Sequence, residues 1–123
     1  QIIPEKHTTQ IRFIKSDFIS AIKAASLFSN KIHEVTLSFQ PNKKTYIIST
    51  ENAELGKQAT TLDGQGSGED IEVVFNWKFL LDGLQRIESS EVFLGLSGQA
   101  APMVIRPVGD AQYLYVLMPI KNT

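Results

Sequence analysis

At 123 residues the chain is long enough for one compact domain that buries a core without staples, and its 42% apolar content is ordinary for a globular protein. A formal net charge of -1, from 12 basic and 13 acidic side chains, gives no sign of a nucleic-acid binder. The absence of cysteine excludes disulfides, thiolate metal sites and a cysteine nucleophile. The start, Gln1-Ile2-Ile3-Pro4-Glu5, lacks Met and any basic-then-apolar leader, no apolar run is long enough to span a bilayer, and a fragment or processed product in a reducing cytoplasm is expected.

In chain order, Thr9 to Ile14 predicts a strand, with Ile11 and Phe13 alternating with Gln10 and Arg12. Ser16 is placed to cap a helix running to about Phe28, with Asp17 favourable in its first turn. Val35, Leu37 and Phe39 alternate inward along the next strand, Pro41-Asn42-Lys43-Lys44 is a turn, and Thr45 to Thr50 and Gly56 to Leu62 are two further strands. Asp63-Gly64-Gln65-Gly66-Ser67-Gly68 predicts a flexible loop. The order then recurs: a strand at Ile71 to Phe75, a helix capped by Asn76 and running to about Ile87, and strands at Val92 to Leu96, Met103 to Arg106 and Tyr113 to Leu117. Each half thus reads strand, helix, strand, strand, strand. The expected product is an α+β fold of duplicated βαβββ units, an antiparallel sheet with two helices packed on one face.

Helical periodicity assigns Phe18, Ile19, Ile22, Ala25 and Ser26 to the buried face of the first helix, and Phe79, Leu80, Gly83, Leu84 and Ile87 to that of the second. Gly83 costs about 1 kcal/mol in a helix relative to Ala, which suggests a close approach to the sheet. At about 100° per residue, Leu27 points nearly opposite Phe18 and Phe28 points to a flank. Either a loop covers this pair or it forms a partner surface. His7 and His33 stand on different segments without a carboxylate at ligand spacing, so no metal site is expected. Gly64, Gly66 and Gly68 fail the dinucleotide pattern, since Glu69 stands where a third glycine belongs and a strand follows instead of a helix. No nucleophile motif is present, no catalytic residue is nominated and no cofactor is expected.

The stretch Val74-Phe75-Asn76-Trp77-Lys78-Phe79-Leu80-Leu81-Asp82-Gly83-Leu84 is similar to a signature of the last domain of bacterial sliding clamps, the DNA polymerase III β subunit family. Tyr113-Leu114-Tyr115-Val116-Leu117-Met118-Pro119-Ile120-Lys121 resembles that family's terminal strand, and Ile2-Ile3-Pro4 its entry into the domain. Ala24 to Asn30, Val92 to Leu96 and Pro102 to Pro107 also fall in register, so the resemblance covers almost the whole chain.

The resemblance implies a single domain over 1–123, the third of a three-domain chain that pairs head to tail into a homodimeric ring around duplex DNA. It implies a non-catalytic processivity subunit of a DNA-directed DNA polymerase, a nucleotidyltransferase holoenzyme. It also implies a hydrophobic groove that docks short peptides of polymerase, clamp loader and repair proteins. The matching groove positions are Ile2, Ile32, Asn76, Phe79, Ala100, Pro102, Val116, Leu117, Met118, Pro119 and Ile120, with Asn76 offering a polar contact. Leu27 and Phe28 fall at the ring-closing contact, and Lys23, Lys78 and Arg86 are candidates for facing DNA, with Lys15 a further basic residue on that side. Ala24 departs from the family, which often has a basic residue there, and Asn122-Thr123 extend past its usual end. A second reading is a small non-catalytic α+β domain for ligand binding or oligomerisation, which predicts a concave pocket with convergent polar groups or apolar strips used only for assembly.

Overall fold

The computed structural model describes residues 7–28, 33–109 and 113–120. Strand β1 (Thr9–Ile14) leads into helix α1 (Lys15–Ser26), β2 (Glu34–Gln40), a short 3-10 turn (Pro41–Lys43), β3 (Thr45–Asn52) and β4 (Gly56–Leu62). Strand β5 (Gly64–Gly68) joins the halves, and β6 (Ile71–Asn76), α2 (Trp77–Gln85), β7 (Glu91–Leu96), β8 (Met103–Pro107) and β9 (Tyr115–Leu117) then repeat the first order. Both helices end two residues sooner than periodicity places them, and the last strand starts at Tyr115 rather than Tyr113.

The strands form two antiparallel sheets, ordered β5-β1-β7-β8-β9 and β4-β3-β2-β6. The expected α+β class with a duplicated order holds, but the single sheet becomes two, and the halves exchange their first strands. β1 pairs with β7, with Ile11 opposite Leu94, while β6 pairs with β2, with Phe75 opposite Val35. Alternation fixes which face of a strand is buried and leaves its neighbour open. α1 packs on β3, β4 and α2, and α2 reaches β6 and β9.

One core joins both sheets and α1. The Phe13 ring lies 5.1 Å from Phe18, 5.6 Å from Phe39 and 5.5 Å from Tyr46, and the latter two meet it edge to face. These rings come from β1, α1, β2 and β3, so a single aromatic cluster ties the exchanged strand β1 to the helix and the other sheet of its own half.

The predicted loop from Asp63 to Gly68 is in fact mostly strand β5, which pairs with the other edge of β1 and sets Gly66 opposite Ile11. Its glycines hide it from any alternation pattern, yet all three are required, Gly68 by its φ of 110° against the Thr8 carbonyl and the other two by packing. A Cβ on Gly64 would stand 2.7 Å from the Phe13 ring, and one on Gly66 would stand 2.8 Å from the Tyr46 hydroxyl.

Ser16 does not cap α1. The helix starts two residues earlier than that cap requires, after Ile14, with no side-chain cap, and the Lys15 amide donates to the Ser90 carbonyl at 2.8 Å. That bond from the other half replaces the missing cap. Asn76 does cap α2, its oxygen accepting from the amides of Lys78 at 2.9 Å and Phe79 at 3.3 Å. The buried face of α1 is Phe18, Ala21, Ile22 and Ala25, with Ile19 partly covered, while Ser26 turns its hydroxyl to the Lys23 carbonyl. In α2, Phe79 points outward and Leu81 is buried instead, because this short helix is covered on more than one side.

His7 supplies a pH response. Burial first, and then the nearby Arg106 guanidinium, hold its pKa below the usual 6.5. Its ring meets Phe93 at 5.8 Å, edge to face, with Ser97 near Nδ1 and Gly95 beneath it. A depressed pKa means that the folded state resists protonation. The stability it protects is present above 6.5 and is lost as pH falls through the lowered value. Urea midpoints of the native protein should therefore fall between about pH 7 and pH 5 by more than those of His7→Gln. Parallel pH curves for the two proteins would contradict this.

Candidate functional site

Two segments are anchored on β6. The Ile120 amide donates to the Val74 carbonyl at 2.8 Å, which lays the tail after β9 along β6. Gln99 Nε2 donates to the Glu72 carbonyl at 3.0 Å, which brings the β7–β8 loop, with Ala100 and Pro102, to the same strand. β6 itself runs straight into α2, so Asn76 and Phe79 stand at its end. Among the described residues, the positions expected to form the groove therefore come from three parts of the chain that meet around β6.

Their exposure divides them. Phe79 is 54% exposed and Met118 43%, both large apolar side chains left open to solvent. Ala100 is exposed, and Pro102, Val116 and Ile120 are half-buried. Leu117 and Pro119 are buried and act as support beneath the surface. The Asn76 oxygen is already held by two helix amides, so its capping role occupies the acceptor expected to face a ligand. Ile2 and Ile32 lie outside the described residues. Leu114, 45% exposed, is an apolar side chain beside this region that residue spacing did not nominate.

Three contacts fix α2 to the last strand and the residues leading into it. The Tyr115 hydroxyl donates to the Phe79 carbonyl at 2.8 Å, and the Tyr113 hydroxyl donates to the Gly83 carbonyl at 3.0 Å. A Cβ on Gly83 would come within 2.3 Å of the Tyr115 ring, so the ring rests on the helix backbone. The close approach expected of Gly83 is real, and its partner is this ring. Burial first, and then the Asp82 carboxylate and Tyr113, raise the Tyr115 pKa above 10.0 against an opposing effect of Arg86, so the hydroxyl stays a donor.

At the end of α1, Leu27 is 75% exposed and Phe28 is half-buried. Lys23, Lys78 and Arg86 are all exposed on the paired helices, with the Lys78 ammonium 5.9 Å from the centre of the Trp77 ring. Lys15 is engaged elsewhere, donating to the Ile87 carbonyl at 2.6 Å, where a cation suits the end of α2.

A separate open cleft of about 540 Å³ is lined by Arg12, Ile14, Asp63, Gln65 and Glu91 among others. Its Arg12 and Glu91 pair with each other at 3.3 Å, and both are nearly half exposed. Among the described residues, no group of three His, Asp or Glu side chains is placed to hold a metal, and no helix is long and apolar enough to cross a membrane.

The chain is 30% identical over 125 residues to the beta sliding clamp of Bacillus subtilis, covering 98% of this chain and 32% of that protein. The crystal structure of the Bacillus subtilis DNA polymerase sliding clamp superposes with a TM-score of 0.92 at 28% identity, over 98% of this chain and 32% of that one. The DNA polymerase III beta subunit of Thermotoga maritima has the same fold, with a TM-score of 0.93 at 24% identity over 99% of this chain and 33% of that one. The chain thus spans about a third of the length of these relatives. The sequence profile of the DNA polymerase III beta subunit, C-terminal domain, matches residues 1–121, and the chain belongs to that family.

Proposed function

We propose that this domain is the third part of a ring-shaped, non-catalytic sliding clamp that encircles duplex DNA in replication and tethers the polymerase and other partners through short peptides. The observation that carries this reading is the exposure of Leu27, Phe79 and Met118 beside a core that is complete without them. Large apolar side chains left on a surface in this way suit docking. Phe79 and Met118 belong to the groove, a soft apolar surface for a peptide carrying Gln with Leu or Phe. Leu27 and Phe28 belong to the contact with the neighbouring protomer of a homodimeric ring. Lys23, Lys78 and Arg86 would act on DNA only through charge, an interaction independent of sequence that weakens steeply with salt. A place in the cytoplasm follows from work on the chromosome.

The two apolar sites separate under mutation. In the full-length protein, Leu27→Asp should weaken dimerisation about tenfold or more by sedimentation, because it places a charge in an apolar contact. Peptide affinity should stay unchanged. If the dimer survives with native affinity, Leu27 is not at the ring contact. If peptide binding is lost together with the dimer, the apolar strips serve assembly alone, as the oligomerisation reading holds.

A further inference from the structure

Resting on the groove reading, we propose that Tyr115 and Tyr113 are positioning residues that pre-organise the peptide groove by bonding the last strand to the backbone of α2. The two hydroxyls reach carbonyls four residues apart, Phe79 and Gly83, which lie one turn apart on the same side of a helix. The Gly83 carbonyl is among the last of α2 and has no regular helical partner, because the Ile87 amide turns to Leu84 instead. Tyr113 fills that vacant acceptor. The Phe79 carbonyl belongs to the first turn of α2, and Tyr115 uses its second lone pair.

The ring of Tyr115 sits where any side chain at position 83 would collide with it, so glycine there sets the distance between helix and strand at its minimum. Phe79 stands on α2, and Met118, the other exposed apolar side chain of the groove, comes directly after β9, three residues beyond Tyr115. Without the Tyr115 hydroxyl bond, the turn of α2 that carries Phe79 is free to shift relative to Met118. Ordering it again would then be charged against peptide binding.

The test is a double-mutant cycle in the full-length protein, with a fluorescein-labelled peptide containing Gln, Leu and Phe and anisotropy as the readout. Tyr115→Phe keeps the ring and removes only the hydroxyl. It should weaken binding about fivefold, the order of one net hydrogen bond. In a Phe79→Ala background the same change should have less than about a twofold effect, because the hydroxyl acts through Phe79. Native affinity in Tyr115→Phe, or an equal loss in both backgrounds, overturns the proposal, since a merely stabilising bond gives no such coupling. Native affinity in Phe79→Ala alone overturns the groove reading itself and takes this inference with it, so the two failures are distinguishable.

Discussion

Replacing Phe79 and Met118 together by alanine should reduce the affinity of the full-length protein for a Gln-, Leu- and Phe-containing peptide about a hundredfold while leaving its unfolding midpoint almost unchanged. Both side chains are about half exposed, 54% and 43%, so truncating them leaves no core cavity. Buried in a complex they would be the aromatic and thioether anchors, and a central aromatic anchor is worth roughly 2 kcal/mol or more, or about thirtyfold, by itself. Anisotropy titration together with urea unfolding checks both halves of the statement. A loss of stability matching the loss of affinity would mean that these residues are structural. Unchanged affinity would remove the groove from this face of the domain.

Phe13→Ala should have the opposite signature, a loss of about 3–5 kcal/mol in stability. That is a large part of the total for a domain of this size. Phe13 is 2% exposed and touches rings from α1, β2 and β3. It is therefore the residue at which the strand exchanged into the sheet of the second half meets the core of the first half. Its ring also supports β5, since Gly64 lies directly against it. The remaining space is too closely bounded by aromatic groups to refill by small shifts. A lower urea midpoint at unchanged slope is the expected result. A cost below about 1 kcal/mol would mean that the cluster repacks freely and does not hold the two sheets together.

Local pattern carried most elements of the fold. Val35, Leu37 and Phe39 alternate as a strand with one buried face must, and the Asn76 cap is an exchange between neighbours in sequence. Strand β5 was hidden because its pairing depends on what it lacks, side chains at Gly64 and Gly66, and on an open edge of β1 supplied from far along the chain. The absence of a cap at Ser16 has a similar cause, a carbonyl at Ser90 that no local motif announces. Phe79 is open where periodicity puts it on the buried face, and Leu81, which that face leaves out, is covered, because periodicity assumes one buried face and a short helix wedged between another helix and two strands has more than one.

The candidate site was legible in a different manner. Leu27 stood out from helical spacing alone, as an apolar residue opposite the core face, and it is the most exposed of the large apolar side chains described. The groove positions came from resemblance, and the geometry adds which of them are accessible: Leu117 and Pro119 are buried, while Phe79 and Met118 are exposed. The bonds from Tyr113 and Tyr115 to α2 have no sequence signal beyond Gly83, because hydroxyl-to-backbone contacts between distant segments leave no periodic trace.

Topology gives the most direct measurement of the central claim. Full-length protein assembled on a closed circular duplex by its loader should co-migrate with the DNA in high salt, where a charge-based contact with phosphates is stripped away. A single cut that linearises the circle should release it through the free ends. Equal retention on circular and linear DNA, or release from both by salt alone, would contradict a ring built with this domain.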